Sequence, residues 1–366
     1  MGESSTEFLG TDRFTIRRRL GSGGMGVVYE AHDREMNKTV ALKTLTRAEA
    51  VHIYRFKQEF RALADATHPN LVSLYEFMSD GRFWFFTMEL VKGVNFLEYV
   101  RPGLRALRRR SSESATLLSS LRDRSSLDYE ADTQDFTDTQ PTWTAEKSDV
   151  TGSVSDWSSI HLDEDRLRSA FRQLAQGVHG LHEMGKLHRD IKPSNVLVTS
   201  GGRVVILDFG LVADVDPAGE RESVPLAGTP DYMSPEQGAQ LSLTPASDWY
   251  SAGVMLYQAL TGKLPFSGKF FEVMMNKQSK DPPAPRELRP QTPADLDELC
   301  MKLLQRDPNA RPTGREVLSY LDRRAVTTYG ATVEITSPGE SRRRSWDPHP
   351  RCDCRRSRRR TTQGKN

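Results

Sequence analysis

The chain has 366 residues, of which 37% are hydrophobic, enough for two or three compact units with sizeable cores if the apolar positions cluster; its formal charge of only +2 gives no whole-chain case for nucleic acid or an acidic membrane. Cys300, Cys352 and Cys354 supply no disulfide framework, which suits a reducing compartment. No apolar run reaches the roughly 18 to 20 residues of a membrane-spanning helix, and Met1 to Gly10 lacks the apolar core of a signal peptide, so a soluble, cytoplasmic protein with a tail at 1–10 is expected.

Phe14 to Leu20 is β-prone and leads into Gly21-Ser22-Gly23-Gly24-Met25-Gly26-Val27-Val28. These glycines let the backbone turn tightly and bring its N–H groups close to phosphate oxygens. A dinucleotide-binding fingerprint would need a helix to begin here, whereas Val27-Val28-Tyr29 continues as a second strand. In Val40-Ala41-Leu42-Lys43, alternation places Ala41 and Lys43 on one face. A small residue beside a cation suits an adenine edge and its phosphates. A buried ammonium needs a counter-charge. Glu59, on a predicted helix from Ile53 to Thr67 with Phe56, Phe60 and Leu63 in one stripe, is the candidate, and Glu49 the runner-up. His68-Pro69-Asn70 ends that helix, and strands follow at Leu71 to Phe77 and Arg82 to Leu90.

Residues 101–160 are rich in Ser, Thr, Asp and Arg, with a basic block at Arg105 to Arg110 and an acidic one at Asp128 to Asp138. Such a segment buries too little apolar area to offset its ordering entropy and is expected to be a disordered insertion, either an inert spacer or a phosphorylated regulatory loop. Asp163 to Met184 then reads as a long helix, with Leu167, Phe171, Leu174, Val178 and Leu181 on one side.

The helix leads to His188-Arg189-Asp190-Ile191-Lys192-Pro193-Ser194-Asn195, followed within one hairpin by the apolar run Val204 to Leu207 and Asp208-Phe209-Gly210. Segments that double back over so short a span can converge on one pocket suited to phosphoryl transfer. One Asp orients an attacking hydroxyl and takes its proton; a second Asp and an Asn hold magnesium through hard oxygen ligands; a Lys between them offsets charge on the moving group. Asp248 to Leu256 is apolar nearly all round and should be a central helix, with further helices near Phe270 to Lys277, Leu296 to Gln305 and Arg315 to Arg323. Beyond Arg324 the core pattern stops, and nine arginines in the last 26 residues make a basic tail at 326–366, normally solvated. Cys352-Asp353-Cys354 near His349 falls short of a structural zinc site.

The ordered set of glycine loop, Val-Ala-Leu-Lys, catalytic stretch, Asp-Phe-Gly and the late Arg311-Pro312-Thr313 resembles the protein kinase family, most closely the bacterial, eukaryotic-like serine/threonine kinases, with Lys192 two residues after Asp190 as the serine/threonine form. The resemblance covers residues 11–325 apart from the insertion. It implies an α+β, two-lobed protein-kinase-like fold, with a β-rich small lobe at about 11–90 and a helical larger lobe at about 161–325. ATP with Mg²⁺, or Mn²⁺ in its place, would occupy the cleft. By resemblance Gly21, Ser22, Gly23, Gly24, Met25, Gly26 and Val28 cover the phosphates with Ala41, Lys43 and Glu59. Met88 guards the rear of the nucleotide pocket, and backbone groups of Glu89 and Val91 meet adenine. Asp190 and Lys192 are then catalytic, Asn195 and Asp208 metal ligands.

The resemblance further implies that Arg189 meets a phosphorylated downstream loop, with Ser223 the better activating site, and that Glu236 pairs with Arg311 while Asp248 braces the catalytic-loop backbone. Thr229 stands where an acceptor hydroxyl would lie, or as a fixed structural threonine. Ser234 replaces the family's usual alanine, a tolerated exchange. Protein substrates with Ser or Thr acceptors are the expected partners, including the chain itself through self-association. The alternatives are a catalytically weak pseudokinase or scaffold, and a nucleic-acid-binding module acting through the Arg-rich tail.

Overall fold

The computed structural model describes residues 8–23, 26–45, 53–54, 57, 60–61, 67–107, 157, 159–207, 213–214 and 229–329, with 23, 213–214 and 323–329 as backbone only. The chain divides into two units, Met1–Ala325 and Val326–Asn366.

The first unit opens with an antiparallel five-stranded sheet ordered β1-β2-β3-β5-β4, formed by β1 (Phe14–Gly23), β2 (Gly26–Asp33), β3 (Lys38–Leu45), β4 (Leu74–Ser79) and β5 (Trp84–Met88). Gly23 pairs with Gly26 across the first hairpin, so strand flanks the glycine loop on both sides, as the sequence predicts. Gly26 is fixed by packing: a Cβ there would lie 1.9 Å from the Thr44 carbonyl oxygen. One apolar cluster, containing Phe14, Tyr29, Ala31, Val40, Leu42 and Phe85, covers one face of the sheet. A second, with Leu45 and Phe86 at its centre, receives Ile53 and Phe60 from the helical residues at 53–54, 57 and 60–61.

The larger lobe is built on two helices. Glu164–Glu183 starts at Asp163, whose side chain accepts the Arg166 N–H, and buries Leu167, Phe171, Leu174, Val178 and Leu181, the stripe read from spacing. Pro245–Thr261 is buried along almost its whole length and stops at Gly262 in the left-handed conformation, φ +79°, which glycine adopts without steric cost. Their side chains share one core with those of Phe96–Val100, Ala294–Leu303, β8 (Val196–Thr199) and β9 (Val204–Ile206). A three-stranded sheet ordered β6-β8-β9, with β6 at Gly93–Asn95, lies beside it. This is the two-lobed α+β arrangement expected from the resemblance. No helix among the described residues is long and apolar enough to cross a membrane.

Several boundaries differ from expectation. The strand predicted at Leu71 to Phe77 begins at Leu74, because residues 70–72 are diverted to β9: Ile206 N–H donates to Asn70 O (2.8 Å), Val72 N–H to Ile206 O (3.1 Å), and Asn70 Nδ2 to Val204 O (2.8 Å). The insertion placed at 101–160 begins later and ends earlier. Residues 103–107 are helical, Leu104 is buried, and Arg101, 0% exposed, donates to Ala259 O (2.8 Å), Leu260 O (2.9 Å), Trp157 O (3.1 Å) and Ile160 O. Four carbonyl acceptors explain how so polar a composition still enters the core. The last helix runs from Gly314 to Tyr329, past the expected end at Arg323.

Candidate active site

In antiparallel strands, paired residues share a face, and so do residues two apart. The register pairs Val28 with Lys43, Lys43 with Phe86, and Ala41 with Met88, so Val28, Ala41, Lys43 and Met88 come to one face of the small-lobe sheet. Lys43 is 6% exposed, with Nζ 5.8 Å from the Phe86 ring centroid. Gly21 and Ser22 are exposed at the end of β1, and a Cβ at Gly21 would meet nothing within 4 Å. Gly24, Met25, Glu59 and its alternative Glu49 lie outside the described residues. Glu89 is half-buried beyond β5. Its carboxylate receives Arg203 at 2.5 and 3.0 Å and its N–H donates to Ser73 O at 2.8 Å, so only its carbonyl could meet a base. Val91 is half-buried and packs against the larger core.

The catalytic stretch lies between β7 (Lys186–Leu187) and β8. Arg189 takes φ +65°, a left-handed conformation that strains any non-glycine residue. Asp248, 1% exposed on the Pro245–Thr261 helix, holds it there: Oδ2 accepts the His188 N–H and Oδ1 the Arg189 N–H, both at 2.8 Å, while His182 Nε2 lies 2.8 Å from Oδ2. Burial alone would raise the Asp248 carboxyl, but His182 and the backbone donor outweigh it and the carboxyl sits below its ordinary range. Gln237 Nε2 adds a 2.9 Å bond to Arg189 O. His188 Nδ1 accepts the Asp190 N–H at 3.3 Å, which leaves Nε2 to donate to Leu207 O at 3.1 Å and ties the stretch to the end of β9.

Asp190, Lys192 and Asn195 meet at one point. Lys192 Nζ is 2.7 Å from Asp190 Oδ2 and donates to Thr229 Oγ1 at 3.1 Å. Asn195 Nδ2 donates at 2.9 Å to both Asp190 O and Asp190 Oδ2, which fixes the amide and leaves its oxygen for another partner; Ser194 Oγ reaches it only at 3.4 Å. A carboxamide oxygen presented in this way is a hard donor that fits a divalent cation. The other expected ligand, Asp208, lies outside the described residues, as does Ser223.

Segment 229–233 starts at this point with Thr229 and continues through turns in which Tyr232 N–H donates to Thr229 O (3.0 Å) and Met233 N–H to Pro230 O (3.3 Å). Behind it, Glu236 and Arg311 pair at 2.6 and 2.8 Å, both nearly buried, as the resemblance implies. Ser234 is more than a tolerated exchange: it is fully buried and caps the next helical turn, its Oγ accepting the Gln237 N–H at 3.3 Å.

Sequence reasoning missed Arg101, Gln237 and His182, and also Lys277. Lys277 is 1% exposed in the last turn of the Phe270–Ser279 helix, and Nζ donates to the carbonyls of Pro230 (2.8 Å), Asp231 (2.7 Å) and Met233 (2.7 Å). Burial pushes this ammonium down to about 7. The signal lay in its spacing, since Lys277 falls four residues after the buried Val273 and therefore on the same helical face.

Residues 14–321 match the protein tyrosine and serine/threonine kinase family. The chain belongs to that family. Among its curated relatives are serine/threonine-protein kinase PknA of Mycobacterium tuberculosis, 31% identical over 82% of the chain, serine/threonine-protein kinase pkn2 of Myxococcus xanthus, 28% over 84%, and serine/threonine-protein kinase PrkC of Bacillus subtilis, 24% over 81%. The matches take in 58%, 32% and 38% of those proteins, so the chain corresponds to only part of each. Family membership implies ATP and a divalent metal, and the carboxamide oxygen of Asn195 fits the metal.

Proposed function

We propose that this kinase-family chain is a serine/threonine protein kinase that transfers the γ-phosphoryl group of ATP to protein hydroxyls, its own included. The observation that carries the reading is the meeting of Asp190, Lys192, Asn195 and Thr229 within hydrogen-bonding distance; the sheet face bearing Val28, Ala41, Lys43 and Met88 would hold the nucleotide. The relatives' names favour serine and threonine as acceptors, and Lys192 is the residue that marks that class by resemblance.

Lys192 and Asn195 both hold Asp190 through Oδ2, so Oδ1 is the oxygen placed to receive the acceptor hydroxyl and take its proton. The acceptor oxygen forms a bond to the γ-phosphorus as the bond to the β,γ-bridging oxygen breaks, and ADP departs. Lys192, between Asp190 and Thr229, offsets the negative charge of the phosphoryl group in flight. Lys43 orients the phosphates from the other lobe, and Asn195 with Asp208 would hold Mg²⁺, which neutralises the phosphate oxygens when bound. In this reading self-association permits one copy to phosphorylate another, and the enzyme acts in signalling in the cytoplasm, where ATP is supplied.

The test is incubation with labelled ATP, Mg²⁺ and a basic acceptor protein alongside Asp190→Asn. Label on Ser and Thr in the wild type and its near-abolition in the variant are expected. Equal labelling of both would leave a nucleotide-binding scaffold as the better description.

A further inference from the structure

A lysine in the last turn of a helix ordinarily extends into water, where its charge is hydrated and its helix's own carbonyls are near. Lys277 does neither. Its side chain runs inward beside Met233, Val273 and Met274, with Phe266 and Phe270 packed against that cluster. It ends among three carbonyls of one turn, those of Pro230, Asp231 and Met233, at 2.7 to 2.8 Å. An ammonium has three N–H donors and all three are used. The Tyr250 ring, centroid 5.5 Å from Nζ, closes another side. Three carbonyls directed at one point in the interior would repel one another without the charge between them.

The turn held in this way adjoins the chemistry. Pro230 directly follows Thr229, whose hydroxyl accepts from Lys192 Nζ at 3.1 Å, and Lys192 Nζ lies 2.7 Å from Asp190 Oδ2. A short covalent and hydrogen-bonded path therefore leads from Lys277 to the carboxylate that receives the acceptor hydroxyl. Gln278, the next residue of the helix, donates to Pro235 O at 2.6 Å and secures the far end of the same segment. The Lys277 contacts with Pro230, Asp231, Met233 and Tyr250 all lie in the larger lobe, and none is on the sheet face that would carry the nucleotide.

We infer that Lys277 is a positioning residue for the protein acceptor: its ammonium sets the conformation of residues 229–233, which form the wall an acceptor peptide meets beside Asp190, while leaving the nucleotide site alone. The inference rests on the phosphotransfer reading above and adds a specificity element to it. An acceptor must find the wall already formed; if the turn loosens, part of its binding free energy goes to reordering 229–233, and affinity for the acceptor falls.

The test compares the full chain with Lys277→Met, which keeps length without donors, Lys277→Gln, which keeps two donors without charge, and Lys277→Arg, which keeps charge. With a basic acceptor peptide, Lys277→Met is expected to raise the peptide KM by about ten-fold or more and to leave the ATP KM within about two-fold, with Lys277→Arg recovering part of the loss. Amide exchange at Tyr232 and Met233 should quicken in Lys277→Met while exchange in the Glu164–Glu183 helix is unchanged. If Lys277→Met does not fold, Lys277→Gln carries the same expectations, with a smaller rise in peptide KM. Peptide KM unchanged in a folded variant, or both KM values rising together as exchange quickens throughout the lobe, overturns the inference. If the wild type transfers no phosphate, the functional reading fails on its own, and exchange at Tyr232 and Met233 still decides whether Lys277 holds the turn.

Discussion

Replacing Asp248 by Asn changes one oxygen to an NH₂ group and should disable catalysis without disturbing nucleotide binding. The carboxylate accepts from two backbone N–H groups at 2.8 Å and lies 2.8 Å from His182 Nε2, all within a site 1% exposed. An asparagine oxygen can accept from only one of the two N–H groups, and its NH₂ then faces the other, donor to donor. Hydrogen bonds to a charged group contribute about 1.5 to 3 kcal/mol each, and a buried donor left without an acceptor costs about 1 to 3 kcal/mol, so a net loss of roughly 2 to 4 kcal/mol is expected. The left-handed backbone of Arg189 stores about 1 to 2 kcal/mol. The grip lost therefore equals or exceeds the strain it holds, and Arg189 relaxes. Asp190 is the next residue, and a displacement of about 1 Å at a reacting group can cost about a hundred-fold in rate.

Urea unfolding, kcat with a peptide acceptor and the KM for ATP measure these effects separately. Expected are a lowered urea midpoint, kcat reduced by about two orders of magnitude, and an ATP KM within about two-fold of wild type, since the residues proposed to face the nucleotide, Val28, Ala41, Lys43 and Met88, lie on the small-lobe sheet. A stable Asp248→Asn protein with wild-type kcat would refute the claim that this carboxylate holds the catalytic stretch.

Glu236→Gln and Arg311→Met should each lower stability by about 3 to 5 kcal/mol by leaving one buried partner, and the double variant should lose less than their sum; urea titration of the three proteins gives the coupling. Burial would raise the Glu236 carboxyl, but Arg311 outweighs it, so its folded-state pKa lies below the ordinary 4.5. Its contribution is therefore fully present above pH about 4.5 and is lost as pH falls through the folded value, so stability measured from pH 7 down to 3 should fall less steeply in Glu236→Gln than in wild type. Arg101→Met removes the donors to Ala259, Leu260, Trp157 and Ile160; a loss of about 3 kcal/mol or more and faster amide exchange at 157–163 are expected, and unchanged exchange there would show that Arg101 does not secure the end of the insertion.

The readable parts of the site were those where chemistry restricts the residue type. A carboxylate can take the proton of an attacking hydroxyl and a metal facing phosphates wants hard oxygen, so Asp190, Lys192 and Asn195 stood out from residue type, spacing and the family resemblance, and the structure brings them together. Strand alternation placed Ala41 and Lys43 on one face, since the period of two is fixed by the backbone, and the long helix at Glu164–Glu183 followed from its apolar stripe. Composition failed at the edges of the insertion, because an arginine that binds carbonyls in the core has the same letter as one in solvent. Periodicity could have put Lys277 on the face of Val273, a signal the sequence reading missed, but could not have shown what it meets, because its partners are backbone atoms some 45 residues earlier.

Among the described residues of the larger lobe, Arg101, Lys277 and Arg311 are buried cations, and their partners separate two ways of holding the surface around Asp190. Arg311 meets a carboxylate, so its charge is cancelled where it sits. The hydrogen bonds of Arg101 and Lys277 described above all go to carbonyl oxygens, and burial pushes the two cations down to about 10 and about 7, the mark of charges that remain costly to desolvate. Apolar side chains of similar volume would avoid that cost, so stability alone does not account for either residue. What a multiply donating cation does and an apolar residue cannot is fix the directions of several carbonyls on separate stretches of chain. Arg101 does so for the end of the Pro245–Thr261 helix and the segment at 157–160, and Lys277 for the turn beside Asp190. Asp248 is the mirror case, an acid that fixes the directions of backbone donors. Among the described residues, His188 to Lys192 and Thr229 to Met233 lie outside regular strands and helices, and buried charges on the helices behind them, Asp248 and Lys277, constrain their shape.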